Sequence, residues 1–377
     1  MTLSRWAVRA RHRWHHSTHP ALATGHHLID LARTPSPLVA SAGGDGPTLA
    51  YGGLADGLVH VLPFLESRRT APAQRLGDEP AGADLVALGC GEAQAFALPA
   101  DRSLVLPMRV HLVVPLPADP GDVVRRVSRK DRQQHARGCD RFGWRLEEGT
   151  TVADFTEFYH RFHLPTMRVR HGERTRSAPV DEAYECLFRR GRLFFLTARG
   201  RRVAGMLCVV DQRGRRVVSR LAGVQDGAAE HYRSGVYMAL HVLILQWAAR
   251  QGLATADLSG CEPFLSKGIF QFKRKLHPTV TVPATHFGRK RLWLRVERDG
   301  PAVRDFLVAN PPMVIDRRQR MRAVYFHDRS RPPRLDLRWQ TPGLDDGVLV
   351  DLDEFLASGA PPMATTAPGR AEPSASD

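Results

Sequence analysis

Three apolar runs stand back to back between residues 192 and 223: RLFFLTAR, VAGMLCVV and RVVSRLAG. Each is rich in Val, Leu and Phe and long enough for one strand. GRR and DQRGR separate them, and both are tight-turn chemistry. Strands joined by such short links pair antiparallel, because a parallel pair needs a crossover of a dozen residues or more. An antiparallel meander therefore anchors whatever this chain folds into.

The flanks extend the pattern. Residues 234–250 are apolar almost all round, which predicts a buried helix, and TADL at 255–258 reads as a short strand. Upstream, Asp119 and Pro120 supply a cap and a first-turn proline for a helix to about Arg141, which Gly143 ends. WRLEE follows as a strand. Thr151 caps a helix over 152–164 that Pro165 should stop, and another helix covers about 181–190. Downstream, TVTVPATHF and RLWLRV read as two strands. The order from 143 is β-α-α-β-β-β-α-β, the segment 259–276, then β-β.

The rest is less regular. TLAYGG, LVHVLPFL, ADLVALG and RVHLVVPL predict short strands of a mixed first domain over 20–118. Residues 358–377 are small, polar and Pro-rich, the composition of a disordered tail, and DRSRPPRLDLRW before them reads as extended surface chain. The N-terminus is basic and lacks the apolar core of a signal peptide, so a flexible arm over 1–19 is expected.

A length of 377 residues accommodates two domains, and a net charge of +15 suits anionic partners such as nucleic acid or phosphorylated metabolites. The same charge also fits a chain that uses arginine as an all-purpose solvated cation. Five scattered cysteines without C-x-x-C spacing argue against zinc and for a reducing, cytoplasmic setting. The histidines at 12, 15, 16 and 19 have no carboxylate or cysteine near them in sequence, so no metal is expected there. The longest apolar run, Val236–Ala249, is interrupted by His241 and Gln246 and is too short to cross a membrane. No G-x-S-x-G, Walker A or dinucleotide fingerprint appears.

Several stretches carry chemistry. The start of the buried helix offers unpaired N–H groups, with Gly223, Gly227 and Gly235 allowing close backbone approach and Arg233 adding a cation, as a phosphate cradle would. The basic helix aligns Arg125, Arg129 and Arg132 on one face, with Lys130 on a second flank, and guanidinium forks suit phosphate. Tyr159 and His163 share a helix face, and Arg168 and Arg170 follow Pro165 in an expected loop. Together they make an expected acceptor pocket, with a histidine available as base.

The element order resembles the GNAT acyltransferase fold. RRVSRKDRQQHAR at 125–137, and Gly268 followed four and five residues later by Phe272 and Lys273, resemble the FemAB-like branch. That branch has a degenerate first GNAT-like unit, an S-R-K-x-R helix and a second unit with G-x-x-x-F-K. The resemblance covers roughly 119–296, and 20–118 by position only. It implies an α/β (α+β) protein with a double GNAT-like fold and mixed, mostly antiparallel sheets flanked by helices. The implied division is 1–19 flexible, 20–118 first domain, 119–142 connecting helix, 143–310 acyltransferase domain, 311–357 extension and 358–377 tail.

The implied reaction is transfer of an acyl or aminoacyl group to an amine, the acyl group lying where strands corresponding to 215–222 and 254–258 splay apart. Such a site needs an acceptor for the amine proton and a stabiliser for the oxyanion. The resemblance assigns the oxyanion to Lys273; beside it, Asp257 and Glu262 at the end of the second strand are each candidates for the base or for orienting the nucleophile, with Phe272 as a wall and Lys267 as a further cation. Fem-type enzymes use aminoacyl-tRNA, and other members of the branch use acyl-CoA. The GNAT pyrophosphate pattern R/Q-x-x-G-x-G/A is replaced here by GVQDGAAEHYRSGVYMAL, where Arg233, Gly235 and Tyr237 match it incompletely. That leans the donor towards aminoacyl-tRNA, with acyl-CoA as the alternative and no tightly bound cofactor. A non-catalytic nucleic-acid-binding protein is the second alternative.

Overall fold

A computed structural model describes residues 4–32, 36–41, 46–57, 69–70, 83–172 and 177–358. The expected strand LVHVLPFL and the tail from 359 lie outside them. The chain forms two compact units: Met1–His16, His111–Ser259 and Lys273–Thr279 in one, Ser17–Val110, Gly260–Phe272 and Val280–Asp377 in the other. The fold class is α/β, with mixed sheets flanked by helices.

The meander is present in the first unit. Gly191–Ala198, Arg201–Asp211 and Arg216–Val224 pair antiparallel in sequence order, and Arg145–Gly149 joins antiparallel at one edge. The seven-stranded sheet runs Thr279–Thr281, Val110–Pro115, Thr255–Cys261, Arg216–Val224, Arg201–Asp211, Gly191–Ala198, Arg145–Gly149. Successive residues of a strand point to opposite faces. Phe194 meets Trp247 of the helix Val236–Arg250 at 4.7 Å between ring centroids, while Phe195 meets Phe162 of the helix after Thr151 at 5.5 Å. Both faces are therefore covered, which is why these strands read as continuous apolar runs rather than alternating ones.

The structure departs from expectation at four places in this unit. Residues 5–16 are a helix, held by buried Val8 and by Arg9, which donates to Glu185 at 2.7 Å, so this part of the expected flexible arm is ordered. The helix at 119–142 is two helices, Gly121–Arg126 and Arg129–Phe142, broken where Val127 turns extended and Ser128 caps the second by accepting from the Asp131 amide. Pro165 does not end its helix. Helical structure passes through a π turn at Phe158–His163 and continues over Leu164–His171, the widened turn just before Pro165 accommodating a residue that has no N–H to donate. The segment 259–276, given no element in the order above, holds a helix, Gly268–Arg274.

The second unit contains a six-stranded sheet ordered Arg69–Thr70, Ser36–Ser41, Leu49–Gly53, Leu85–Gly91, Lys290–Val296, Ser103–Pro107. RLWLRV, expected to close the domain at 143–310, thus pairs antiparallel with Leu85–Gly91 and Ser103–Pro107. Lys290, which opens the strand Lys290–Val296, is fully buried, with Nζ 2.5 Å from Asp30 and 2.6 Å from Asp56, two carboxylates that offset the cost of burying its charge. Within the expected extension 311–357, Met313–Ile315, Met321–His327 and Gly347–Asp351 form a sheet whose Phe326 packs on Phe355 of the helix Leu352–Ser358, and DRSRPPRLDLRW between the last two strands carries no helix or strand.

Candidate functional site

Arg216–Val224 and Thr255–Cys261 pair parallel in the first sheet. Their register runs Arg216 to Thr255, Val217 to Ala256 and Val218 to Asp257, and there it stops, although both strands continue. A bulge between Ser219 and Leu221 on the other edge of the first strand accompanies the separation. Ser259 sits at the opening with φ 63°, a conformation that costs a non-glycine residue about 1–3 kcal/mol and that surrounding contacts must hold.

Those contacts form a chain. The Ser259 amide donates to Asp257 Oδ1 at 2.8 Å, an Asx-type turn that stabilises the left-handed backbone. Its hydroxyl donates to the Ser219 carbonyl across the gap, and its own carbonyl accepts from Lys273 Nζ at 3.1 Å. The other Asp257 oxygen, Oδ2, lies 2.9 Å from His111 Nδ1. Burial raises the Asp257 pKa, but the His111 hydrogen bond and charge, the Ser259 amide and Arg216 outweigh it and hold the carboxyl below its ordinary range. A carboxylate so stabilised is a poor base, and both its oxygens are taken. His111 Nε2 makes no hydrogen bond among the described residues, and the ring is one-fifth exposed. His111 was not foreseen. Its signal in the sequence is a histidine inside the strand run RVHLVVPL, with Asp257 on another strand 146 residues away.

Lys273 is only 6% exposed, three residues after fully buried Phe270 on one face of the helix Gly268–Arg274. Phe272, on the same helix, is half-buried. Lys275 turns elsewhere, 3.4 Å from Asp131. His241 on the buried helix is pushed down to about 4, first by burial, with Lys273 and Arg170 adding to the effect.

The buried helix begins at Gly235, whose φ of 86° suits glycine. A Cβ there would come within 2.7 Å of the Gln134 side chain, so the basic helix passes beside this N-terminus. Arg233 is exposed next to it. The Arg170 guanidinium lies 4.1 Å from the Tyr232 ring centroid and 5.3 Å from that of Tyr237, whose phenol burial pushes up to about 12. On the basic helix, Arg129 and Lys130 are exposed without hydrogen bond or ion pair among the described residues, whereas Arg132 donates to the Arg125 carbonyl. Arg125 itself is occupied by Asp119 and Asp122, so the expected three-arginine face does not form.

The expected acceptor pocket does not form either. His163 is buried with Nδ1 3.0 Å from the Ala222 carbonyl and Nε2 2.6 Å from Ser177 Oγ, and the Tyr159 hydroxyl donates to the Ala178 carbonyl at 2.8 Å. Both belong to the packing of their helix on the sheet, and Arg168 is exposed beyond them. Gly223 serves that same packing: a Cβ would lie 2.3 Å from the Phe162 carbonyl oxygen. It is not free to face a donor. Glu262 and Lys267 fall in the second unit, where burial lowers the Lys267 pKa and Glu262 opposes the shift.

Residues 123–274 match the family model described as an acetyltransferase (GNAT) domain. Among solved structures, L-PGS from Bacillus licheniformis is 14% identical, covering 72% of this chain and 84% of its own, with a TM-score of 0.35. The C-terminal domain of a putative lysylphosphatidylglycerol synthetase from Agrobacterium fabrum is 16% identical over 72% of this chain and 85% of its own, with a TM-score of 0.36. FemX is 10% identical over 78% and 96%, with a TM-score of 0.38. No curated protein matches the chain.

Proposed function

Taking residues 123–274 as a GNAT-type domain and the protein as an acyltransferase, we propose that it transfers an aminoacyl group from aminoacyl-tRNA to an amine, by direct attack and in the manner of the FemAB-like branch. The observation that carries the site is the chain His111–Asp257–Ser259–Lys273 at the opening between the parallel strands. The amine nitrogen attacks the ester carbonyl of the donor. His111 Nε2 takes the proton the nitrogen sheds, with Asp257 fixing the ring and balancing the charge it gains. Lys273 stabilises the oxyanion, and the intermediate collapses by breaking the bond to the ribose oxygen of the tRNA, which leaves as the hydroxyl by taking back the proton held on His111.

The donor assignment rests on Arg129 and Lys130, two exposed cations on a helix running past the buried helix's N-terminus. Acyl-CoA is the second reading, favoured by that N-terminus itself, whose positive dipole end suits a pyrophosphate. Incubation with charged tRNA and separately with acyl-CoA, read by mass spectrometry, distinguishes them. A tRNA user consumes the first and binds RNA with a steep salt dependence. Consumption of acyl-CoA alone, with thermal stabilisation by CoA and indifference to RNA, overturns the tRNA assignment. Consumption of neither leaves the non-catalytic nucleic-acid-binding alternative.

A further inference from the structure

His12 and His16 stand one helical turn apart on Arg5–His16, so both rings project from one face, with centroids 4.5 Å apart. In sequence they have no carboxylate near them. The fold supplies one: Glu182, 170 residues from His12, places Oε1 2.8 Å from His12 Nδ1 and 3.8 Å from His16 Nε2. One ligand atom from each of the three lies within 4.8 Å of the other two. Ligands on a tetrahedron around zinc, each at about 2.0–2.2 Å from the metal, are roughly 3.3 Å apart, which the two distances to Glu182 bracket.

We propose that His12, His16 and Glu182 form a divalent transition-metal site of the zinc class that fastens the N-terminal helix to the helical stretch 180–190. Two imidazoles and one carboxylate are the donor set zinc prefers over magnesium or calcium. His16 is more exposed than the other two side chains, so a fourth position opens to water. The two elements are already aligned by Arg9 and Arg5 on Glu185, so metal binding requires little ordering. Arg11 and Arg220 act electrostatically on Glu182 and oppose a hard dication, leaving covalent character in the metal–nitrogen bonds to hold the ion. Binding displaces any proton held between His12 and Glu182 to solvent.

The test uses full-length protein without a histidine tag. Zn²⁺ titration by calorimetry should show one site, Co²⁺ should give the visible absorption of a four-coordinate ion, and Mg²⁺ should bind neither way. His12→Gln and Glu182→Gln should each weaken Zn²⁺ binding at least tenfold. His16→Gln, at an exposed position that folding does not depend on, should do the same with an unchanged circular dichroism spectrum. No Zn²⁺ binding by the wild-type chain overturns the site. So does one-to-one binding that persists at full affinity in His16→Gln or in the His12→Gln, His16→Gln double variant, which would assign the ion to other histidines.

Discussion

His163 and His111 lie on opposite sides of what a sequence can reveal. His163 sits on a helix whose periodicity was plain, beside a tyrosine and several arginines, and it looked like chemistry. In the structure both its nitrogens are consumed, by the Ala222 carbonyl and Ser177. His111 sits in a short strand of a poorly legible region, yet it has a carboxylate on one nitrogen, no hydrogen bond on the other among the described residues, and a ring one-fifth exposed. Saturated hydrogen bonding makes a histidine part of the core; one orienting partner and one open nitrogen make it a proton acceptor.

That contrast can be broken by mutation. His111→Ala should lower turnover per folded molecule by about 10²–10⁴-fold, with a loss of stability of about 1–3 kcal/mol because the buried Asp257 carboxylate loses its partner. Lys273→Ala should lower turnover by about 10²–10³-fold, the effect of removing one oxyanion donor, measured as kcat with the fold checked by circular dichroism. His163→Ala should reverse the pattern: stability falls by about 1–3 kcal/mol in urea titration, because the Ala222 and Ser177 groups lose their partner, while turnover per folded molecule persists. Gly223→Ala should also cost about 1–3 kcal/mol from overpacking against Phe162, with donor affinity retained in the folded fraction. The smallest effect is on pH dependence. His241 takes up its proton only near pH 4 when folded, against 6.5 ordinarily, so between those values the unfolded chain binds the extra proton. Its contribution is complete above pH 6.5 and is lost as pH falls towards 4; His241→Gln should flatten the stability profile across that window.

The same contrast explains what was legible. The meander, the buried helix and the order of elements from 143 to 258 followed from local signals: apolar runs, turn residues and caps such as Thr151, whose capping box with Asp154 is present. Lys273 was reachable because it sits in a short motif. Distances across the fold were not reachable. Asp257 and His111, or His12 and Glu182, meet only after strands or helices far apart in sequence become neighbours, and no spacing encodes that. Pro165 misled for a related reason, since a π turn, invisible to a 3.6-residue period, carries the helix past it. RLWLRV was recognisable as a strand, but its place in the other sheet depends on burying Lys290 between Asp30 and Asp56.

The central claim is that His111 and Asp257 act as one unit in taking the proton. A double-mutant cycle on kcat/KM tests it most directly, with His111→Ala, Asp257→Asn and both together, using whichever donor the protein consumes. If the pair is a unit, each single variant is slow and the double variant is no slower than His111→Ala alone. Multiplicative losses in the double variant, or a wild-type rate in His111→Ala, would contradict it.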